Sequence, residues 1–392
     1  MNIAVVLSSM GGPADEASVE SYLVELMTDP MLMKLIWQEQ TGPFIARRAA
    51  ARSRAKHRQI GFGHGSRWSW AQAEGLAARL QRELPEHRFF PQLLCRYGEP
   101  KAEALCRWLR EERIEHVFLV SMDPQFSCCT TGSALSALWQ SWRAHPELSQ
   151  VSWTLLTRWG DAPEVAQAWA ARVDAAIDAL EPAHRQDAVL VYSAHALPLA
   201  QLEKGDGYAH EVHATIAAIH SALRHPLPMH VAFQSARRGR WQRPSLQDVL
   251  LALCAQRPRA LVLVPVSFGC EHSETLYDLD IEARSWLQGM VPRPNGLSQR
   301  ASALLRALPG VRARGLSSDQ SSGVEAASPW VRVSAPNDDA AHLDALARLL
   351  LTRFRAGSRA ELQLAEPCHA CTEALCTAYR EGWGKTQEVH HE

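Results

Sequence analysis

The feature that most constrains the fold is an apolar run that ends in a cluster of ionisable groups. Residues 260–266 are apolar, rich in β-branched side chains and uninterrupted, which predicts a strand covered on both faces of a parallel sheet. Residues 268–274 follow at the carboxyl end of that strand, where open α/β sheets place their ligand sites. The segment therefore predicts an α/β sheet with a polar site at its edge.

After this strand the periodicity becomes helical. Glu274, Asp278 and Glu282 are spaced four residues apart, so a helix would align three carboxylates on one face. His272 lies just ahead of them. Such a line of carboxylates has the chemistry to move protons or divalent cations. The structural alternative is a solvated helix face beside an isolated histidine.

Composition indicates a globular chain. The protein has 392 residues, of which 46% are hydrophobic and 21% charged. This length is enough for one large two-lobed protein or for two domains of ordinary size. A formal net charge of −1 gives no electrostatic reason to expect nucleic acid as a partner. No signal peptide precedes the first apolar run, and no run approaches the ~20 residues of a membrane-spanning helix. We therefore expect a cytoplasmic protein.

Short apolar runs alternate with helical stretches along the chain, which predicts parallel, doubly wound sheets. The expected strands are residues 3–7, 89–94, 116–120, 151–156, 188–192, 228–233 and 260–266.

The two halves of the chain also resemble each other. Residues 3–13 and 188–198 both consist of an apolar strand, small residues and a turn with proline. We therefore predict an α/β fold of two similar, Rossmann-like lobes with a cleft between them. The expected units are an N-terminal lobe with an apolar lip (1–165), a C-terminal lobe with the catalytic groups (166–355) and a cysteine-bearing tail (356–392).

His195 follows the strand at 188–192, again at a carboxyl end. Histidine at such a position is a candidate base, because its ordinary pKa lies nearest to working pH. The alternative is a histidine that only bonds to loop backbone.

The apolar lip is residues 27–45, which include Met33, Ile36 and other large apolar side chains. Asp29-Pro30 and Gly42-Pro43 interrupt the run and leave a short apolar loop-helix. A methionine-rich apolar surface suits a large planar ligand or a membrane surface. The alternative is an ordinary core helix.

Nine cysteines are present, and Cys368, Cys371 and Cys376 form a cluster near the C-terminus. In a reducing compartment this density indicates metal rather than disulfides. Three thiolates need a fourth ligand for zinc or for an iron–sulfur cluster, and His369 or a distant cysteine would complete the set.

Eight segments in chain order resemble the ferrochelatase family, and the resemblance covers nearly the whole chain. The matching segments are MGGP (10–13), PFIARR (43–48), RYGEP (96–100), PQFSCCTTGS (124–133), YSAHALP (192–198), GDGY (205–208), FQS (233–235) and HSETLYDLDIE (272–282).

This resemblance implies insertion of Fe²⁺ into protoporphyrin IX to form protohaem, the last step of haem biosynthesis, with release of two protons. By the same resemblance His195 faces the macrocycle and accepts a proton or handles the metal, with Glu274 as its partner. A conduit for protons and metal is implied at His272, Asp278 and Glu282. The implied porphyrin-binding residues are Arg96, Tyr97, Phe268, Met33 and Ile36.

The cysteine-bearing tail resembles the [2Fe–2S] extension of some members of the family. The resemblance implies that Cys368, Cys371 and Cys376 share the cluster with Cys128, with the neighbouring Cys129 as the alternative fourth ligand.

The sequence departs from the family pattern at residues 61–70, 236–244 and 269–271, which affects details of the pocket. Two other functions remain as alternatives: a cobalt or nickel tetrapyrrole chelatase, and a tetrapyrrole-binding protein without catalysis. Peripheral contact with the inner membrane and a homodimer are further hypotheses.

Overall fold

The structure is a computed structural model that describes residues 1–288 and 329–357, except residues 33, 237, 238, 257 and 259. The strands in this part are β1 (Asn2–Ser9), β2 (Arg88–Cys95), β3 (His116–Ser121), β4 (Ser152–Leu156), β5 (Ala188–His195), β6 (Met229–Gln234), β7 (Ala260–Pro265) and β8 (Trp330–Arg332).

The α-helices fall between and after these strands. They are α1 (Val19–Thr28), α2 (Gln38–Ile60), α3 (His64–Glu83), α4 (Ala102–Glu111), α5 (Ser133–Trp142), α6 (Pro163–Asp178), α7 (Pro182–Arg185), α8 (Leu199–Leu202), α9 (Tyr208–Ser221), α10 (Leu246–Gln256), α11 (Ser273–Leu276), α12 (Arg284–Leu287) and α13 (Ala340–Arg355). Two π-helical turns occupy Cys128–Gly132 and Asp278–Ala283, and a 3₁₀ turn occupies Pro146–Leu148.

The strands form two four-stranded sheets with the orders β2-β1-β3-β4 and β6-β5-β7-β8. Every pairing between these strands is parallel. In each sheet the first strand of that half lies between the second and the third, so the two lobes share one topology. The predicted α/β fold of two similar lobes is therefore confirmed. Strand β8 was not predicted, because three residues are too few to show a period.

The core is continuous across the two lobes. Val5 and Val120 of the first sheet belong to the same apolar cluster as Tyr192 and Val264 of the second, and all four are fully buried. Helix α13 comes last in the described chain but packs on α3 and β4 of the first lobe as well as on α6. The two halves therefore fold against each other.

One helix differs from the sequence prediction. Helix α2 runs to Ile60 with Pro43 inside it, whereas the apolar lip was expected to form only a short loop-helix. Helix α3 follows and begins at His64. Between them Gly61 and Gly63 adopt φ angles of 90° and 71°, the left-handed region that glycine enters without strain. This glycine-rich turn ends α2 and starts α3.

The carboxyl ends of the two sheets meet. The buried Gln125, just after β3, donates from Nε2 to the carbonyl oxygen of Val266 just after β7, at 3.1 Å. Gln72 of α3 donates to the carbonyl oxygen of Gly269 at 2.8 Å. A Cβ atom at Gly269 would lie 2.7 Å from the carbonyl oxygen of Met122, so this approach requires glycine. The strand ends of both lobes thus face one shared region.

Among the described residues, no helix combines the length and the apolar composition needed to cross a bilayer.

Two buried histidines make the stability of the fold depend on pH. His116 lies between Ser152 Oγ at 2.6 Å and Thr154 Oγ1 at 3.0 Å, and burial lowers its pKa to about 4. Burial also lowers the pKa of His342 to about 4, and neither of its ring nitrogens has a hydrogen-bond partner among the described residues. Both imidazoles are therefore neutral in the folded protein at neutral pH.

We predict that His116 and His342 each lower the free energy of unfolding as the pH drops from 7.5 to 5. The unfolded chain binds protons at these histidines below pH about 6.5, whereas the folded chain does so only near pH 4, so each contributes a loss of about 2 kcal/mol. In His342→Leu this pH-dependent loss should shrink by about 2 kcal/mol, since one titrating group is removed. Urea unfolding at the two pH values measures the difference.

The control is His225→Leu at an exposed position. It should leave the pH dependence unchanged. Equal pH-dependent losses in wild type and His342→Leu would show that His342 is not held neutral by the fold.

Candidate active site

The candidate site lies at the carboxyl edge of the second sheet. His195 is the last residue of β5 and pairs in register with Gln234, the last residue of β6. The hydroxyl of Tyr208 donates to the carbonyl oxygen of His195 at 3.0 Å and lies 2.9 Å from Ser267 Oγ. Tyr208 thereby ties the end of β5 to the segment after β7, where Phe268 follows. Two of the predicted site residues are thus fixed at adjacent strand ends.

His272 and Glu274 form a pair beside Phe268. The Nδ1 atom of His272 lies 2.9 Å from Oε2 of Glu274 and 3.1 Å from its backbone nitrogen. A protonated imidazole donates to the carboxylate, whereas a neutral one accepts from the backbone N–H. The Phe268 ring packs edge-on against the imidazole, with 4.7 Å between ring centres, and Ser273 Oγ donates to Oε2 at 2.5 Å. Neighbours on three sides therefore set the orientation of this pair.

The electrostatics favour the ionised pair. Burial alone would raise the pKa of Glu274, but the charge and hydrogen bond of His272, the charge of His195 and the Ser273 hydroxyl outweigh it. The pKa of Glu274 is therefore held well below its usual range. Burial alone would lower the pKa of His272, but the Glu274 carboxylate, with smaller contributions from Glu271 and Asp123, raises it.

The acidic line predicted from the sequence begins in α11 and continues in a π-helical turn, not in a regular α-helix. The N–H of Glu282 donates to the carbonyl oxygen of Tyr277 at 2.9 Å, a five-residue span. Gln234 donates to the carbonyl oxygen of Glu274 at 2.7 Å, and Ser235 Oγ donates to Asp278 Oδ2 at 2.6 Å. The line therefore follows the end of β6. Such π turns recur at functional sites.

A lysine closes the outer end of this line. Lys56 of α2 places Nζ 3.3 Å from Asp278 Oδ1 and 3.7 Å from Glu282 Oε1. The same ammonium lies 4.2 Å from the centre of the Tyr277 ring. Asp278 and Glu282 thus share one counter-charge, supplied by the first lobe. Local sequence patterns do not indicate this contact, because the two partners lie more than 200 residues apart.

Arg96 and Tyr97 belong to a network around the buried carboxylate of Asp29. Arg96 Nη2 lies 2.7 Å from Asp29 Oδ2, and the Tyr97 hydroxyl donates to the same oxygen at 2.8 Å. Ser133 Oγ also donates to that oxygen. The Tyr97 ring is fully buried, whereas a quarter of the Arg96 side chain is exposed. In this structure Arg96 is accessible from solvent and Tyr97 supports it from behind through Asp29.

Asp123 is a site residue that the sequence reasoning missed. It lies two residues beyond β3, on the first-lobe side of the region where the strand ends meet. Burial raises its pKa to about 6, and the charges of His272 and Glu274 also act on it, in opposite directions. Its position just after a predicted buried strand is the feature of the sequence that could have identified it. A carboxyl group with this pKa exchanges protons near neutral pH.

The apolar lip presents large apolar side chains to solvent. Ile36 and Trp37 are 81% and 79% exposed, although both are large apolar residues. The second lobe holds the base of the lip, because Gln201 Nε2 donates to the carbonyl oxygen of Met31 at 3.1 Å. Gln201 lies in α8, a few residues after His195. Met33, also predicted to contact the ligand, lies outside the described residues.

Of the predicted cluster ligands, Cys128 alone lies in the described part, and Cys368, Cys371 and Cys376 lie outside it. Cys128 begins the first π turn, is 2% exposed, and donates its backbone N–H to Asp206 Oδ2 at 2.8 Å. Within residues 1–288 and 329–357, as far as they are described, no group of three or more histidines, cysteines or carboxylates is arranged to hold a metal ion.

Comparison with known proteins finds a matching family model and several similar proteins. A family model described as Ferrochelatase matches residues 2–292. Ferrochelatase, mitochondrial, from Gallus gallus is 31% identical over 283 residues, which is 71% of this chain and 70% of that protein. Ferrochelatase, mitochondrial, from Drosophila melanogaster is 31% identical over 284 residues, 71% of this chain and 73% of that protein. Ferrochelatase from Thermosynechococcus vestitus is 33% identical over 287 residues, 71% of this chain and 73% of that protein.

Proposed function

This chain belongs to the ferrochelatase family, and from that membership we propose that it inserts Fe²⁺ into protoporphyrin IX to form protohaem, with release of two protons. Iron and porphyrin are its substrates. The observation that carries the proposal is the ionised pair of His272 and Glu274 beside His195, at the edge where the strand ends meet.

The chemistry needs a proton acceptor and a route for a cation. Each inserted iron displaces two pyrrole protons, and an acceptor works best when its pKa lies near the working pH. His195 meets that requirement by residue type, whereas the low pKa of Glu274 makes this carboxylate a weak base and a persistent negative charge. We assign His195 to proton acceptance and Glu274 to electrostatic stabilisation of the incoming cation.

The acidic line supports a route for the cation. Asp278 and Glu282 continue from Glu274 towards Lys56, so a cation that displaces the lysine ammonium would meet three carboxylates in turn. Carboxylate oxygens suit divalent cations of this kind. We propose that this line, with His272, conducts metal inward and protons outward.

The apolar lip supports an apolar macrocycle as the second substrate. Ile36 and Trp37 offer a large exposed apolar surface, which suits protoporphyrin better than the highly carboxylated tetrapyrroles of cobalt or nickel chelatases. Arg96 and Phe268 are proposed to contact the macrocycle, with Tyr97 holding Arg96 through Asp29.

We predict that His195→Ala and Glu274→Gln each lower the rate of iron insertion by about 100-fold or more, because each loses a group that acts on the reacting atoms. Protoporphyrin binding and the thermal midpoint should change little. The measurement is anaerobic haem formation from Fe²⁺ and protoporphyrin IX by the full chain, with binding followed by porphyrin fluorescence.

His225→Ala and Glu203→Gln serve as controls, since both residues are exposed and lie outside the site. Near-normal turnover in folded His195→Ala would remove His195 from the mechanism. Porphyrin binding without turnover in the wild type would favour the non-catalytic alternative.

We also propose that the apolar lip contacts a membrane surface. Its exposed apolar side chains suit the interface of a bilayer. A lipid-soluble porphyrin would enter the site from that interface. A cytoplasmic location at the inner membrane and a homodimeric assembly stay predictions.

Flotation with liposomes tests the membrane proposal. A variant with Leu35, Ile36 and Trp37 changed to serine should lose most of the wild-type recovery in the lipid fraction, because the apolar surface that enters the interface is removed. Changing Met229, which is also exposed but lies at the start of β6, to serine is the control and should float like the wild type. Equal recovery of all three proteins would restrict the lip to porphyrin binding.

For the cysteines we propose one [2Fe–2S] cluster held by Cys128, Cys368, Cys371 and Cys376. Support comes from the spacing of the tail cysteines and from the rigid attachment of Cys128, whose backbone N–H is held by Asp206. Such a cluster would link the tail to the first lobe, and we propose a structural or regulatory role for it rather than a catalytic one.

Iron and acid-labile sulfide analysis of anaerobically purified protein tests the cluster. Wild type and Cys129→Ser should contain two irons and two sulfides per chain beyond any bound substrate, and Cys128→Ser should lose most of both, since it lacks the fourth thiolate. Stoichiometric zinc without sulfide would refute the cluster. Loss in Cys129→Ser alone would move the fourth ligand to Cys129.

A further inference from the structure

Arg332 joins two carboxylates at the ends of residues 271–280. This stretch carries the His272–Glu274 pair and is called the catalytic segment below. From β8 its Nη1 lies 2.7 Å from Glu271 Oε1, while Nε and Nη2 form a two-pronged contact with Asp280, each at 2.6 Å. The Arg332 side chain is 11% exposed and that of Glu271 is 7% exposed. A guanidinium is suited to this arrangement because its planar fork donates in several fixed directions.

The two carboxylates lie on either side of the groups that act in the site. Glu271 immediately precedes His272, and Asp280 lies in the π-helical turn six residues after Glu274. One guanidinium therefore fixes both ends of a segment that carries the His272–Glu274 pair.

Strand β8 and the residues that follow it make further contacts with Glu271, the first residue of this segment. The N–H of Ala335 donates to Glu271 Oε1 at 2.8 Å, and the N–H of Glu271 donates to Asn337 Oδ1 at 2.8 Å. Strand β8 pairs with β7, whose carboxyl end leads into the catalytic segment. Residues 332–337 therefore hold Glu271, the first residue of the catalytic segment, through Arg332, Ala335 and Asn337.

We propose that Arg332 is a positioning residue for iron insertion, which sets the placement of His272 and Glu274 by gripping Glu271 and Asp280 together. This inference rests on the proposed function of the site. It assigns Arg332 no contact with iron or porphyrin. Supporting groups of this kind typically affect activity or metal affinity by about 10- to 100-fold when they are lost.

Arg172 provides a matched control within the same part of the fold. From α6 it lies 3.0 Å from Asp339 Oδ2 and donates to the carbonyl oxygens of Ser334 and Ala335, each at 3.0 Å. It therefore anchors the segment after β8, and within the described part of the chain none of its hydrogen bonds or ion pairs reaches residues 271–280. A purely structural role for Arg332 would make the two arginines equivalent.

The test compares Arg332→Gln, Arg332→Lys and Arg172→Gln in the full chain. Arg332→Gln should lower kcat by about tenfold or more while the Kd for protoporphyrin stays within about twofold, because the pair is misplaced but the porphyrin surface is intact. Arg332→Lys should recover part of kcat, since one ammonium reaches one carboxylate. Arg172→Gln should keep kcat within about threefold of wild type even where its thermal midpoint falls.

Hydrogen–deuterium exchange gives a readout that does not depend on activity. Amides of residues 269–282 should exchange faster in Arg332→Gln and at the wild-type rate in Arg172→Gln. Equal kcat and equal exchange in these two variants would overturn the inference. An inactive wild type with the predicted exchange pattern would instead refute the proposed function and leave the positioning contact supported.

The double variant Glu271→Gln/Arg332→Gln covers the case in which Arg332→Gln does not fold. It removes the unpaired buried carboxylate that would cause the failure. A folded double variant with reduced kcat and faster exchange at residues 269–282 supports the inference, whereas wild-type kcat in this variant overturns it.

Discussion

The junction between the carboxyl ends of the two parallel sheets is the contact on which the rest of the structure depends. Buried backbone groups at strand ends must find partners, and here side-chain amides of one lobe supply them to the other. Gly269 permits the close approach that these hydrogen bonds need. Because the strand ends of both lobes converge, Asp123 from the first lobe and His195 from the second act on one shared set of charges.

Charge within this junction divides the roles of the ionisable groups. The pKa of Glu274 is held well below its usual range, because the charge and hydrogen bond of His272, with the charge of His195 and the Ser273 hydroxyl, outweigh the burial of its carboxylate. A permanent negative charge attracts a cation but takes up protons poorly. This supports the proposal that His195, at the end of β5, accepts the pyrrole protons. The carboxylates of Asp278 and Glu282, paired with the ammonium of Lys56, extend this line of charged groups towards solvent.

Local sequence patterns predicted much of this arrangement. The strands at 188–192 and 260–266 have strong apolar patterns, so their carboxyl ends, with His195 and the 268–274 segment, were located in advance. The contacts that the sequence did not predict join residues far apart in the chain or depend on exact backbone geometry. Lys56 contacts its partners across more than 200 residues of sequence. The four-residue spacing of the carboxylates does not distinguish the π-helical turn from the expected α-helix.

Asp29 and Arg332 show the same limit. Next to proline, Asp29 indicated only a break in the apolar lip, although in the fold its carboxylate binds Arg96 and Tyr97. Arg332 lies fifty residues beyond Glu282, in a strand too short to be recognised by its period.

The most direct test of the proposed site is a crystal structure of the full chain with protoporphyrin bound. We predict that the macrocycle lies between the apolar lip and the edge of the second sheet, with the His195 imidazole facing the pyrrole nitrogens. A porphyrin bound elsewhere, with His195 turned away from its nitrogens, would contradict it.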